Sequence, residues 1–484
     1  MKSIFNIKSI IIFIVQFSIF IISILFTIAE VDLEIISRFT FLVMIWNIVS
    51  WKQMTGKYFT PYVFFLFAIY VFNFGQILIW DISGFDATLG YIAFTRISYT
   101  TLRLAASYAM MGFIAFHLGG ILYMLFHKMD RGSIKSGNDI VQLNNLRKLG
   151  IILLLISIIP AIVYDYSLIS ASIAGGYSEA RAQEIQSGIW SDMYMLFKAS
   201  IVFLVVAFHK ERKKASFIVW TSILYSTLRM LLFGERGFQI IFILVILWLY
   251  HVLIKPFNTN RRSIIKLTII LLAFVVIMTF IADIRVLSYD NIDISTYFKH
   301  AIENNPIKKQ LIEFGGTILT LGLAIEYIPA FTPYYFGSTY LYSLLTVLPN
   351  IGGFLNPVLS NIKTASILQR YYPGALGGSY LAELYMNFSW IGIVGSIIFG
   401  LIIAKIDFKS YMAIKNKKFI SLINYANLIT IVLWLVRSSF SEVPRKVEVI
   451  IILPAIIYFF LRNIGGKKAK KQINNYNDTN EKVI

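Results

Sequence analysis

The chain contains no cysteine among its 484 residues, so no disulfide and no thiolate chemistry can operate in it. Histidine is scarce at five, and of these only His300 falls on the side of the membrane where the longest loop lies. The acidic residues predicted on that side, Asp32, Glu34, Asp81, Asp86, Asp283, Asp290 and Asp293, form no compact ligand pattern, so no metal site is expected. Charged residues make up only 14% of the chain. That share is too small to coat an ordinary soluble domain. No segment on the basic side is large enough for a nucleotide-binding fold, no cofactor is expected, and no internal repeat is found.

What the chain has instead is hydrophobic residues, 57% of the total, with 40 Phe and 28 Tyr among them. They fall in long blocks. Each block of about 20 apolar residues is enough to cross a bilayer as a helix, and about twelve such blocks can be marked. The first, residues 10–29, is longer than the apolar core of a signal peptide and reads as a retained span. Later ones include 216–233, 267–284 and 447–463. The expected fold is therefore all-α, a polytopic membrane helix bundle over residues 1–463. A basic tail of low hydropathy, 464–484, follows and is expected to be disordered.

The formal charge of +19 does not point to nucleic acid. Its Lys and Arg cluster in short loops such as Lys210–Lys214 and Arg261-Arg262, as the positive-inside rule predicts for cytoplasmic loops. Alternating from a cytoplasmic N-terminus places the C-terminal tail inside. It places the one long loop, about 285–388, outside. A loop of that length in a compact membrane protein marks function. Its parts Asp293–Ala301 and Ile307–Ile328 have amphipathic helical patterning and are expected to lie along the membrane surface.

Two stretches on that outer side carry candidate chemistry. The first is the turn Gly234-Glu235-Arg236-Gly237 between two apolar runs. Arginine grips phosphate with a planar fork and stays charged when partly desolvated. Arg236 is the leading candidate, and Arg229, Arg285, Arg370 and Arg437 share its side and its chemistry. Glu235 is either a catalytic carboxylate or a prop for Arg236. The second stretch is Gly377-Gly378-Ser379, followed by Glu383 and Asn387. If helical from Ser379, these polar residues recur every fourth position along one face. Glu383 would then suit a general base or a holder of sugar hydroxyls. Capping by Ser379 with a solvated Glu383 would also account for the pattern. Lys198 falls inside a span, where snorkelling or an internal ion pair is expected.

These features resemble the Wzy family of O-antigen and capsule repeat-unit polymerases. The resemblance is carried by Leu232-Phe-Gly-Glu-Arg-Gly237 opening a span and by the single large late loop. It is carried also by the run from Gly377 through Asn387-Phe388 to Gly392, although Ser389 stands where family patterns often have Gly. The resemblance implies a GT-C-type glycosyltransferase of the bacterial cytoplasmic membrane. Its partners would be the bilayer and undecaprenyl-diphosphate-linked oligosaccharides as donor and acceptor, with a flippase and a chain-length regulator as possible associates. By this resemblance Arg236 would bind the diphosphate leaving group, helped by Arg229, Arg285, Arg370 or Arg437. Glu383, or else Glu235, would accept the acceptor's proton, and the anomeric centre would invert. Ser379, Asn387, Gly377 and Gly378 would line the sugar site. A ligase of the same plan, or a flippase or other transporter, are the alternatives. Charges gathered at one end, with no repeat symmetry, argue against transport.

Overall fold

The computed structural model describes residues 7–127, 140–182, 189–233, 236–257, 276, 305–350 and 353–462; at 172–182, 231, 233 and 236 only the backbone is described. The regular structure of the described residues is helical throughout. Nine helical segments among them are long and apolar enough to cross a membrane. The first six helices are α1 (Ile7–Ile28), α2 (Leu33–Thr55), α3 (Pro61–Ser83), α4 (Tyr99–Phe126), α5 (Ile140–Ala182) and α6 (Ile189–Ala207). They are followed by α7 (Arg212–Phe233) and α8 (Arg236–Leu249), the latter running on through a π-turn to Ile254. The expected span at 267–284, the amphipathic stretch Asp293–Ala301, His300, Arg285 and the 464–484 tail lie outside the described residues.

Local signals set the helix ends. Thr60 accepts a hydrogen bond from the Val63 amide, with Pro61 at the first helical position, and so opens α3. Ser98 does the same for α4 through the Thr101 amide at 3.0 Å. Gly56, at φ 79°, closes α2 in the left-handed conformation that a side chain resists.

The later chain supplies α9 (Pro306–Gly315), α10 (Ile318–Tyr327), α11 (Ser338–Ser343), α12 (Asn356–Ile362), α13 (Tyr380–Phe388), α14 (Gly392–Lys415) and α15 (Phe419–Leu433). Last comes α16 (Val443–Val447), which continues with a π-turn at Glu448–Ile452 and further helix to 462. At the centre of the bundle α4 crosses α14 backbone to backbone. A Cβ on Gly119 would overlap the Ile397 carbonyl oxygen, and one on Gly400 the Phe116 carbonyl oxygen. Lipid offers no hydrophobic drive between helices, so close packing of small residues does that work. Several deeply buried polar groups near this core are paired. His117 contacts the Ser50 hydroxyl at 2.8 Å and the Tyr62 hydroxyl at 3.2 Å, and Gln16 joins Trp46 to the Ile114 carbonyl. Lys198, for which snorkelling or an internal ion pair is the expectation, donates to the neutral amide oxygen Gln239 Oε1 at 2.8 Å and lies over the Phe238 ring.

The described part of the long loop begins by turning into the bundle. The amphipathic stretch from Ile307 to Ile328 breaks at Gly316 into α9 and α10, and both turn inward. Gly75 of α3 and Gly315 of α9 leave no room for a Cβ against each other's backbones, while Gln76 donates to the Ile312 carbonyl at 3.0 Å and accepts from the Ala93 amide. In α10 every residue from Ile318 to Ala324 is buried. Periodicity suggested a surface helix, but the run is apolar on nearly all sides, which suits a buried one.

Helix alternation sorts the ends. At one end Arg103 pairs with Glu30 and Arg38 with Asp81. At the opposite end Arg147 and Lys214 pair with Glu211, and His209 packs on Phe419 beside the Lys415, Lys417 and Lys418 turn. The segment 305–388 returns to the first end, where Gly316 meets Ile92 and Gly322 meets Ile97.

Candidate active site

At that first end the exit of the long loop folds against the link between α15 and α16. Gly378 leaves no room for a Cβ because the Ser438 backbone lies there, and a Cβ on Gly377 would stand 3.5 Å from the Arg437 side chain. Thr320 of α10 donates to the Gly377 carbonyl at 3.0 Å, pinning the chain just before α13. Ser379 then caps α13 through the Ala382 amide, so the capping expectation is met. Its companion, a solvated Glu383, is not. Ser379, Glu383 and Asn387 are all buried along one face.

Glu383 is therefore a carboxyl held inside protein. Its Oε2 accepts from the Phe440 amide at 2.8 Å, and its Oε1 is buried without a close hydrogen bond, with the Thr339 hydroxyl beside the carboxyl. A buried oxygen in that state is costly unless something else uses it. Asn387 is engaged within the fold. Its Oδ1 accepts from the Gly337 amide at 2.9 Å, and its Nδ2 donates to the Thr339 hydroxyl and the Glu383 carbonyl. The amides of Tyr335 and Phe336 donate to the Met386 and Asn387 carbonyls, so the 335–339 turn is stitched to the end of α13. Tyr340 follows, with its ring 5.4 Å from that of Phe440.

The other stretch arrives at the same link. Gly234 and Glu235 lie outside the described residues, as does the Arg236 side chain, but the backbone of Arg236 opens α8. A Cβ on Gly237 would stand 2.6 Å from the Trp434 ring, and the Phe238 ring meets Trp434 edge-on at 6.1 Å. Trp434 Nε1 donates to Glu442 Oε2 at 3.0 Å, and Lys446 Nζ donates to the same oxygen at 2.8 Å. Burial pushes the Glu442 carboxyl up, yet the Lys446 ammonium outweighs it and holds the group at about 2, fully ionised. Segment 434–446 thus touches the start of α8 through Trp434 and grips Glu383 through Phe440.

The remaining arginines divide. Arg437 is half-buried at this junction, over the Phe72 ring as well as against Gly377. Arg370 is exposed and bonds the Ser360 carbonyl and the Asn361 side chain at the end of α12. Arg229 is buried and faces Asp165 at 3.0 Å, donates to the Tyr194 hydroxyl, and is ringed by Tyr164, Tyr194 and Tyr225. Its guanidinium is committed to α5, α6 and α7. The link 438–446, with Phe440, Glu442 and Lys446, is the part that sequence reasoning did not single out. Its signal was present as a dense polar run, Arg437 to Lys446, set between two apolar spans.

A family model described as O-antigen polysaccharide polymerase Wzy matches residues 9–469 of this architecture. The chain belongs to the Wzy family. No curated protein and no solved structure matches it. As a Wzy-family protein it is a multi-pass membrane polymerase of O-antigen repeat units, a glycosyltransferase-like activity acting on lipid-linked oligosaccharides. The two stretches on which the resemblance was first drawn are those that meet at the 434–446 link.

Proposed function

We propose that this Wzy-family chain joins undecaprenyl-diphosphate-linked repeat units on the outer face of the cytoplasmic membrane, with Glu383 as general base. The observation that carries this is the state of Glu383, buried with the Thr339 hydroxyl beside its carboxyl, one oxygen fixed by the Phe440 amide and the other without a close hydrogen bond. A carboxylate so oriented can take a proton from a sugar hydroxyl placed at Oε1. That hydroxyl oxygen attacks the anomeric carbon of the donor glycan. The bond from that carbon to the diphosphate breaks, and the lipid diphosphate leaves with the electron pair. Attack from the face opposite the leaving group inverts the anomeric centre, as in inverting glycoside chemistry. Arg236 and Arg437 neutralise the departing diphosphate, with Arg285 and Arg370 as further contacts. The gathering of basic loops at the end opposite Glu383 supports the outward orientation.

Preorganised charge of this kind is usually the largest catalytic term, worth about 3 kcal/mol for one contact, or on the order of a hundredfold in rate. In a strain lacking the native copy, Glu383→Gln and Arg236→Ala should leave single repeat units, unpolymerised and on the outer face. Polymer length on gels and the side on which units accumulate are the measurements. A normal ladder from either variant at normal expression removes that residue from the mechanism. Accumulation on the inner face would point to a flippase instead.

A further inference from the structure

Beside Glu383 the segment from Leu341 to Leu348 turns an aliphatic edge outward. Leu341 is 70% exposed, Leu344 56% and Leu348 50%, with Tyr342, Leu345 and Val347 also open. Its polar residues point the other way, since Ser343 and Thr346 are buried and Thr339 is taken by Asn387. A contiguous exposed patch of this kind on a water-facing loop calls for a partner. Two observations say which one.

The first is continuity. The outer stripe of α14 (Val394, Ile398, Ile402), with Ile391 just before it, is exposed at helical spacing and so faces lipid. Phe388 extends that stripe upward and stacks on Tyr340 at 6.2 Å with rings 10° apart, which hands the apolar surface on to Leu341 without a polar gap. The second is depth. Asn387, bonded to Thr339, lies 18 positions before Lys405, the first exposed lysine of α14. Helix α14 accounts for the stretch from Gly392 to Lys405, about 20 Å at about 1.5 Å per residue, and a hydrocarbon core of about 30 Å leaves about 10 Å for the turn at Phe388–Ser389 and the end of α13. The 338–348 segment therefore sits at the level where the hydrocarbon ends, not above it.

We infer that Leu341–Leu348 is a membrane-dipping edge, immersed in the hydrocarbon of the leaflet on the Glu383 side. It sets Glu383 close to the headgroup level of that leaflet. This surface assignment stands apart from the role of Glu383 as a base, and its test reads depth, not turnover.

The absence of native cysteine makes each introduced one unique. Leu344→Cys and Leu348→Cys, each nitroxide-labelled in the full-length chain, would be compared with Val394→Cys as the lipid-facing reference, all in phosphatidylcholine–phosphatidylglycerol vesicles. Relaxation by oxygen and by a water-soluble nickel chelate reports the surroundings. The expected result is an oxygen preference of the same sign as at Val394→Cys. A chelate preference at both positions would place the segment in water and overturn the inference. Low access to both reagents with restricted motion would mean that protein, such as a second copy, covers the edge, and would overturn it too. If one variant does not fold, the other carries the same reading.

Discussion

Gly237 closes the Gly-Glu-Arg-Gly turn, where a missing side chain leaves room for close approach to the backbone. Its immediate neighbour is a ring of the protein itself, Trp434, at 2.6 Å from where a Cβ would stand. Gly237→Ala should therefore destabilise the start of α8 by about 1–3 kcal/mol, the usual cost of overpacking. Trp434→Phe, which withdraws the outer part of the indole, should return part of that loss when combined with it. Thermal unfolding of the two single variants and the double would show a negative coupling, and simple additivity would refute the contact. Glu383 was legible as one of three polar residues at fourfold spacing. Its burial was not, because nothing local tells a helix face whether protein or water will cover it. Arg229 was equally opaque. Its partner Asp165 lies on another helix, and only packing reveals that the guanidinium is already spoken for.

The long loop belongs to the scale of elements. Its length marked it as functional, and its Gly and Pro content marked its breaks. The inward turn of α9 and α10 escaped notice because amphipathic period and burial are separate properties, and the Gly75–Gly315 crossing joins residues far apart in the chain. Asn387 is the pin of this element, with two hydrogen bonds tying the 337–339 turn to α13 and a third to the Glu383 carbonyl within α13. Asn387→Ala would leave the Gly337 amide and the Thr339 hydroxyl short of partners, at about 1–3 kcal/mol. Hydrogen exchange at residues 335–343 should quicken while exchange in α4 and α14 stays unchanged. Uniform protection across both regions would show that the turn is held by other means.

For the molecule as a whole, length and hydropathy point to about twelve spans, and the all-α membrane character they imply is what the structure shows. Nine segments answer the length and hydropathy test among the described residues; α7 and the helix through 462 form where spans were expected but do not answer it. What hydropathy could not disclose is which helix touches which, since lipid-facing and helix-facing residues are equally apolar. Glycine contacts decide that at the α4–α14 crossing. Gly400→Leu would force the pair apart at the Phe116 carbonyl, and the expected outcome is loss of the folded chain from detergent extracts, seen as aggregation in size-exclusion chromatography. A monodisperse, active variant would show that the crossing tolerates separation.

The link at 434–446 has a consequence in time. The start of α8 and the face of α13 reach the membrane well before this segment is synthesised, and neither has its contact until Trp434 and Phe440 arrive. The nascent chain thus carries both halves of the proposed site unjoined from the completion of α13 at Phe388 until the link at 434–446 follows. Only the last helical hairpin closes them, so a chain halted ahead of it holds the reactive groups in the bilayer with nothing to align them.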